Sequence, residues 1–411
     1  MRFHQRQLAN GLTIIGETSD SAQSAAIGFF VKTGSRDETP ATSGVSHYLE
    51  HMTFKGTERL SALQVNEAFD HTGAKFNAFT SHENTVYYAA VLPEYLAEVT
   101  DLWIDLMRPS LRDNDFAMEK QVILEEIAMY KDTPQFDVMD RCRSLYFGNH
   151  PCGNSVLGSD ESITAMTADQ MRQYHRDRYG PNNLTVACCG RLDFDSLCRQ
   201  IETGCGKWKP VEAGRTLSPA VGNGRRQRLG KSSIQREHIC LLSPSVSVQD
   251  PRRYAASLLG MIVGDDTGSR FFWSMVDTAI AETALMEFES MDGVGVMDSY
   301  IHCGPDNAKV VLELAEKTFA DLRQNGVTPQ ELQTAKNKVL SAVTIKCEIP
   351  MGRLVDLGMN WVYLKEYLSI QEEVRNIRAV TLDQVNDLIR DFPLEQFTCF
   401  SLGPETYPPL P

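Results

Sequence analysis

The sequence predicts an α+β fold of two similar domains, each an antiparallel-rich sheet with helices packed on one face. At 411 residues the chain exceeds one typical domain and suits two domains of about 200 residues each. A stretch rich in Pro, Gly and charged residues over 209–235 indicates a linker. After it, a strand and then a helix over 236–259 repeat the order of residues 26–55, which indicates a degenerate duplication. We therefore expect domains over 1–208 and 236–411.

The first element follows from turn chemistry. Residues 8–15 combine an Asn-Gly pair with an apolar run. Asn-Gly is typical of two-residue β-turns between antiparallel strands. The chain is therefore predicted to open with a β-hairpin.

A His-x-x-Glu-His motif follows, formed by His47, Glu50 and His51. Two histidines four positions apart project from one face of a helix, so both imidazoles can reach one metal ion at about 2.0–2.1 Å, the Zn–N distance. Glu50 shares that face and can take a proton from a water molecule at the metal. The alternative is two ordinary helix histidines beside a solvated glutamate, so the motif needs a third ligand.

A strong helix is predicted over residues 113–130, because the segment opens with cap-type Asp and Asn residues and carries acidic groups early. Glu119 and Glu126 are seven positions apart and share one face, whereas Glu125 points about 100° away. Solvated charges on an amphipathic helix are the alternative interpretation. A His₂Glu set with an open fourth position is, however, a known arrangement for catalytic zinc.

Together these motifs resemble the pitrilysin and mitochondrial processing peptidase family of zinc metallopeptidases. In that family the His-x-x-Glu-His motif, which reverses the His-Glu-x-x-His order of other zinc proteases, is followed by a helix with the pattern Glu-x₆-Glu. The second glutamate of this pattern is the third ligand. The resemblance implies that His47, His51 and Glu126 bind one zinc ion per chain and that Glu50 is the general base. It also implies that Glu119 is an outer carboxylate that holds one of the ligands in place.

The resemblance covers nearly all of residues 1–208. It includes the opening hairpin, a strand and Gly-Ser-Arg-x-Glu loop over 26–38, and a turn and strand over 179–186. Asn77, Ala78 and Phe79, followed by Thr80, resemble the edge strand that binds an extended substrate by β-augmentation. An interior strand of the first sheet is the alternative for this segment.

The second half departs from the family pattern. Catalytic members carry an Arg and a Tyr seven residues apart after a Gly-rich Ser-Arg-Leu-Phe segment, which Gly264–Phe272 resembles here. In that register the two positions fall on Val276 and Thr283, which cannot donate as Arg and Tyr would. Either activity has been lost, or a sister chain supplies the missing groups; we favour the second because the zinc set is complete. Arg353 also lies in a family-like segment, and its role is left open between structure and function.

Composition adds bounds on function. The hydrophobic fraction of 42% and the charged fraction of 23% are ordinary for a soluble globular protein, and the net charge of −14 argues against nucleic-acid binding. No apolar run approaches the roughly 20 residues of a membrane span, and the N-terminus has no signal-peptide pattern. Ten cysteines without a Cys-x-x-Cys pair indicate free thiols in a reducing compartment. We therefore expect a cytoplasmic protein without membrane attachment.

Two functions remain open from the sequence. The first is a zinc-dependent metalloendopeptidase that cuts peptides or unfolded segments in a closed chamber. The second is a non-catalytic scaffold or assembly subunit, like the core subunits of respiratory complex III, which share the fold of this family. For the first function we expect a related second subunit in a heterodimer, with a homodimer as the alternative.

Overall fold

The computed structural model describes residues 1–220 and 222–407 and divides the chain into two compact units. The first unit contains Met1–Ile127, Asn154–Thr216 and Ile345–Leu368. The second contains Ala128–Gly153, Leu217–Thr344 and the described chain from Ser369 onward.

The strands of the described chain are β1 (Arg2–Gln7), β2 (Thr13–Thr18), β3 (Ala25–Val31), β4 (Lys75–Thr80), β5 (Thr85–Val91), β6 (Leu184–Gly190), β7 (Arg226–Gly230), β8 (Glu237–Ser245), β9 (Ala281–Met291), β10 (Val294–Cys303) and β11 (Thr398–Gly403). The helices are α1 (Val45–Thr53), α2 (Ala62–Thr72), α3 (Leu96–Leu106), α4 (Asp113–Lys131), α5 (Pro134–Phe147), α6 (Asp160–Ala165), α7 (Ala168–Arg178), α8 (Phe194–Cys205), α9 (Arg253–Gly264), α10 (Ala308–Asn325), α11 (Pro329–Lys346), α12 (Pro350–Leu364), α13 (Ile370–Ala379) and α14 (Leu382–Asp391).

The sheet of the first unit has the strand order β1-β2-β6-β3-β5-β4. Its neighbouring strands are antiparallel except for β2 and β6, which are parallel. The predicted opening hairpin is confirmed: β1 pairs with β2 across the turn that contains Asn10 and Gly11, and Gly11 has a φ of 91°. This left-handed conformation suits glycine because it has no Cβ.

Helices cover both faces of this sheet. Ile27 and Phe29 of β3 belong to the core that contains α1 and α3. Ala26 and Phe30, which point the other way, pack in a separate core with Leu354 of α12. The predicted α+β class is therefore confirmed, and α12 adds a helix to the face that the sequence left open.

The second unit repeats this arrangement. Its sheet has the order β7-β11-β8-β10-β9, with only the β7–β11 pair parallel. Ile239 and Leu241 of β8 pack in the core of α9 and α10. Cys240 and Leu242, on the opposite face, pack with Val138 of α5.

The compact units do not follow chain order. Helix α5, from the first half of the chain, belongs to the second unit, and α12, from the second half, belongs to the first. The linear division into 1–208 and 236–411 stays a prediction, and the units cross it at these two helices. Part of the predicted linker over 209–235 differs from the structure, because Arg226–Gly230 form β7 and pair with β11. The charged residues of this segment indicated a linker, but β7 is an edge strand of the second sheet, where charged side chains are common.

Helix α12 is tied to the first sheet by a buried ion pair. The guanidinium of Arg353 donates from Nε and Nη2 to Oε2 of Glu17 on β2, over 3.0 and 2.8 Å. Only 3% of the Arg353 side chain and 2% of the Glu17 side chain are exposed, and the hydroxyl of Tyr367 donates to the same oxygen. These contacts give Arg353 a structural role.

No helix in the described ranges combines the length and the apolar character that crossing a membrane requires.

We expect Arg353→Ala to destabilise the first unit by about 3–5 kcal/mol, because the carboxylate of Glu17 would stay buried without its partner. A double variant, Arg353→Met with Glu17→Leu, should recover most of that loss, since no buried charge remains. Thermal or denaturant unfolding measures both. An Arg353→Ala chain as stable as the parent would contradict the anchoring role.

Candidate metal centre

The helix that carries the His-x-x-Glu-His motif begins at a defined point. Gly44 precedes α1 with a φ of 88°, and a Cβ there would lie 2.5 Å from the carbonyl oxygen of Leu157. The carboxylate of Glu38 accepts hydrogen bonds from the backbone N–H groups of Gly44 and Ser46, over 2.7 and 2.8 Å. Burial raises the pKa of Glu38 to about 7, although these N–H donors oppose the shift. Glu38 therefore caps the helix directly before His47.

His47, His51 and Glu126 come together as predicted. The two imidazoles, one turn apart on α1, have ring centroids 4.7 Å apart. Nε2 of His47 lies 3.7 Å from Oε1 of Glu126 on α4, and Nε2 of His51 lies 3.5 Å from Oε2. Candidate ligand atoms of all three residues lie within 4.8 Å of one another. Within residues 1–220 and 222–407 this is the one such group of three or more His, Cys, Asp or Glu side chains.

The donor set fits zinc. Two ligands at about 2.0–2.1 Å from a tetrahedral zinc ion lie about 3.3 Å apart. The histidine Nε2 atoms lie 3.7 and 3.5 Å from the oxygens of Glu126, which is close to that separation. Burial, followed by the charge of His51, lowers the pKa of His47 to about 3, so its imidazole is neutral near pH 7. A neutral imidazole is the form that binds metal. The three residues are therefore suited to hold a zinc ion.

Glu119 contacts His51, one of the three candidate ligands. One of its oxygens is 2.9 Å from Nδ1 of His51 and the other is 2.5 Å from Nζ of Lys55. Although burial opposes the shift, the hydrogen bonds from His51 and Lys55 lower the pKa of Glu119. A charged Glu119 holds a proton on Nδ1 and leaves Nε2 of His51 for the metal. Glu125 is exposed, as its predicted direction on the helix requires.

Glu50 is nearly buried, with 9% of its surface exposed. The hydroxyl of Thr80 donates to its Oε2 over 2.6 Å. Burial raises the pKa of Glu50, and the Thr80 hydrogen bond opposes that shift. The contact with Thr80 was missed from the sequence; the only signal was that Thr80 is the last residue of the segment that resembles the substrate strand.

Asn77, Ala78 and Phe79 lie on β4, which is the edge strand of the first sheet. The alternative of an interior strand is wrong. The Asn77 side chain is exposed, and its Oδ1 accepts from the backbone N–H of Ala78 over 2.9 Å. Hydrogen-bonded and non-hydrogen-bonded pairs alternate along an antiparallel ladder. Ser81 bonds to Asn84, so Ala78, three residues earlier and opposite Tyr87, is a non-hydrogen-bonded position whose N–H points away from β5. The free edge of β4 therefore carries a backbone N–H donor close to α1, the helix that contains the two histidines.

Val276 and Thr283 are placed in the second unit. Val276 ends a π-helical segment, Phe272–Val276, and packs against the core of that unit. Thr283 lies on β9, the edge strand of the second sheet, opposite His302. Arg270, the arginine of the Gly264–Phe272 segment that sets this register, forms ion pairs with Glu331 and Asp321.

A His₂Glu set is a ligand arrangement typical of catalytic zinc in metallopeptidases, and sequence comparisons place the chain in a family of that class. Residues 13–160 match the family model described as insulinase (peptidase family M16), and residues 165–339 match the model described as peptidase M16 inactive domain. A relative from Bacillus subtilis named "Uncharacterized zinc protease YmxG" is 31% identical over 96% of this chain and 97% of its own length. This chain belongs to the M16 peptidase family.

Solved structures share the fold. A protease from Helicobacter pylori has a TM-score of 0.89 at 19% identity, covering 98% of this chain and 99% of that chain. A chain of complex III2 from Candida albicans has a TM-score of 0.83 at 17% identity, covering 97% of this chain and 95% of that one. At these identities the likeness concerns the fold alone.

We expect Glu126→Gln to lose zinc during dialysis, because an amide is a poor substitute for the carboxylate ligand. Glu125→Gln is the matched control: it removes the same charge from the adjacent, exposed position and should retain the metal. Metal analysis of both purified variants tests the assignment. Zinc loss from the Glu125 variant alone would show that the ligand is assigned to the wrong residue.

Proposed function

We propose that this chain is a zinc metalloendopeptidase that binds one zinc ion and hydrolyses peptides or unfolded segments in a closed chamber. The observation that carries the proposal is the convergence of His47, His51 and Glu126, with Glu50 on the same helix face. Family membership and relatives named zinc proteases support a peptidase-type activity.

The chemistry requires a base and a metal. When bound, zinc supplies a Lewis acid that polarises the substrate carbonyl. Glu50 accepts the proton of the attacking water and passes it to the leaving amine. A pKa raised by burial suits this role, since a base is most effective when its pKa approaches the working pH. Glu119 keeps the His51 imidazole oriented throughout.

Substrate binding is assigned to the free edge of β4. An extended peptide that adds to this edge gains main-chain hydrogen bonds without strict demands on its side chains. The backbone N–H of Ala78 donates to the Asn77 side chain in this structure. When a peptide binds, this N–H would donate to a substrate carbonyl instead. Phe79 is half-buried, and its side chain points to the other face of the strand from Ala78.

Full activity is proposed to need a related second subunit. Val276 and Thr283 supply no charged or phenolic donor at the two family positions. A heterodimer would provide those donors and close the chamber, whereas a homodimer would close it without them. The Bacillus relative is matched over 97% of its own length, so its length is similar to that of this chain.

A non-catalytic scaffold is the second candidate function. It is favoured by Val276 and Thr283 and by the likeness to a chain of complex III2. It gives no reason for the contact between Glu50 and Thr80 or for the outer carboxylate on His51. A cytoplasmic location also stays a prediction, supported by ten cysteines that are all buried.

We expect Glu50→Gln to retain zinc but to lower peptide hydrolysis at least about 100-fold, because the amide cannot act as the base. Metal content and turnover of an unfolded peptide are measured on the same sample. Glu125→Gln, an exposed Glu-to-Gln change, serves as the control. Near-normal turnover by the Glu50 variant would refute its assigned role, and an inactive parent under all conditions would favour the scaffold.

We expect the isolated, zinc-loaded chain to cleave slowly and a related chain with the Arg/Tyr pair to raise its rate about 10²–10³-fold, the typical worth of oxyanion donors. The assay compares an unfolded peptide with and without that second chain. The second chain is also mixed with a Glu50→Gln version of this chain. Loss of cleavage in that mixture would show that the peptide is cut at the zinc site of this chain. Full activity of the isolated chain, unchanged by the second one, would rule out the division of labour.

A further inference from the structure

The hydrogen bond between Thr80 and Glu50 connects the edge of the sheet to the base. We propose that Thr80 is a positioning residue: its hydroxyl fixes the Glu50 carboxylate and couples it to the strand that receives the substrate. This inference rests on the proposed function, since it assigns a task within the same reaction. The 2.6 Å separation is in the range of a charge-assisted O–H···O⁻ bond.

Glu50 needs an external contact to be oriented. The terminal torsion of a glutamate has a broad distribution, so the side chain itself does not fix the carboxylate plane. Within the described part of the chain, Thr80 provides the only hydrogen bond that this carboxylate accepts. The bond occupies Oε2 and leaves Oε1 for the water molecule. Without it, the base would be free to turn away from the reacting atoms.

Thr80 is itself held in place. It is the last residue of β4, and its side chain points to the same face as buried Ala78, towards the layer that contains α1. The turn that follows is closed by hydrogen bonds between Ser81 and Asn84. The carbonyl of His82 also accepts from the backbone N–H of Arg36, over 2.8 Å. The hydroxyl is therefore presented from a strand end that is fixed on both sides.

The position of Thr80 also explains a coupling to substrate. Ala78, whose N–H lies on the free edge, is two residues away on the same strand. A peptide that pairs with this edge aligns its backbone with β4, and β4 aligns Glu50 through Thr80. The base and the substrate backbone thus share one support, which favours the near-attack geometry that catalysis requires.

The decisive comparison is Thr80→Val against Thr80→Ser. Valine keeps the shape but removes the hydroxyl, whereas serine keeps the hydroxyl. We expect Thr80→Val to lower kcat about 10–100-fold with KM within about twofold and zinc content unchanged, because misplacement of a catalytic group costs rate rather than binding. Thr80→Ser should stay within about threefold of the parent. Thr18→Val, on β2 of the same sheet, is the matched control and should leave kcat unchanged.

A second measurement does not depend on activity. Infrared difference spectra are recorded between zinc-loaded and zinc-free protein. A carboxylate stretching band should be shifted in Thr80→Val relative to its position in the parent, and should not be shifted in Thr80→Ser. The shift should vanish when Glu50→Gln is present, which assigns the band. An unchanged band, an unchanged kcat in Thr80→Val, or equal defects in the valine and serine variants would overturn the proposal. If the parent has no peptidase activity but the band shifts as expected, the proposed function fails while the orienting hydrogen bond stands.

Discussion

The start of α1, fixed by the buried carboxylate of Glu38, is the constraint on which the rest of the metal centre depends. Successive residues of a helix are rotated by about 100°, so a start displaced by one residue would turn both histidines away from Glu126. Glu38 prevents this by binding the N–H groups of Gly44 and Ser46 at the same time. The left-handed Gly44 lets the chain reach this geometry without strain.

A buried network of charges holds the loop that carries Glu38. Arg36 pairs with Glu83 over 2.6 Å, and each side chain is only 1% exposed. Arg215 binds both oxygens of Asp37 and also contacts Glu83. Buried charges are tolerated where several partners share them, and this network joins the loop before α1 to the turn after β4. The histidines and Thr80 are therefore presented from two segments that share one support.

The sequence predicted the parts of the site that depend on local spacing. The i, i+4 pair of histidines and the i, i+7 pair of glutamates specify helix faces, and the structure brings both sets together. Arg215 was missed because it lies in the predicted linker, where charge indicates solvent, yet only 5% of its side chain is exposed. The exchange of α5 and α12 between units was missed for a related reason, since packing between segments far apart in the chain leaves no local pattern.

The location of the site within the fold bears on the choice between a peptidase subunit and a scaffold. Met1–Ile127 of the first unit contains the three candidate ligands, the proposed base Glu50, Glu119 and Thr80, whereas Val276 and Thr283 lie in the second unit. The absence of Arg and Tyr at positions 276 and 283 therefore removes no group from the candidate metal centre. A scaffold would gain nothing from a nearly buried Glu50, because burying a carboxylate costs free energy unless its charge is used. The presence of that carboxylate beside a complete His₂Glu set is therefore the observation that most favours the peptidase proposal over the scaffold.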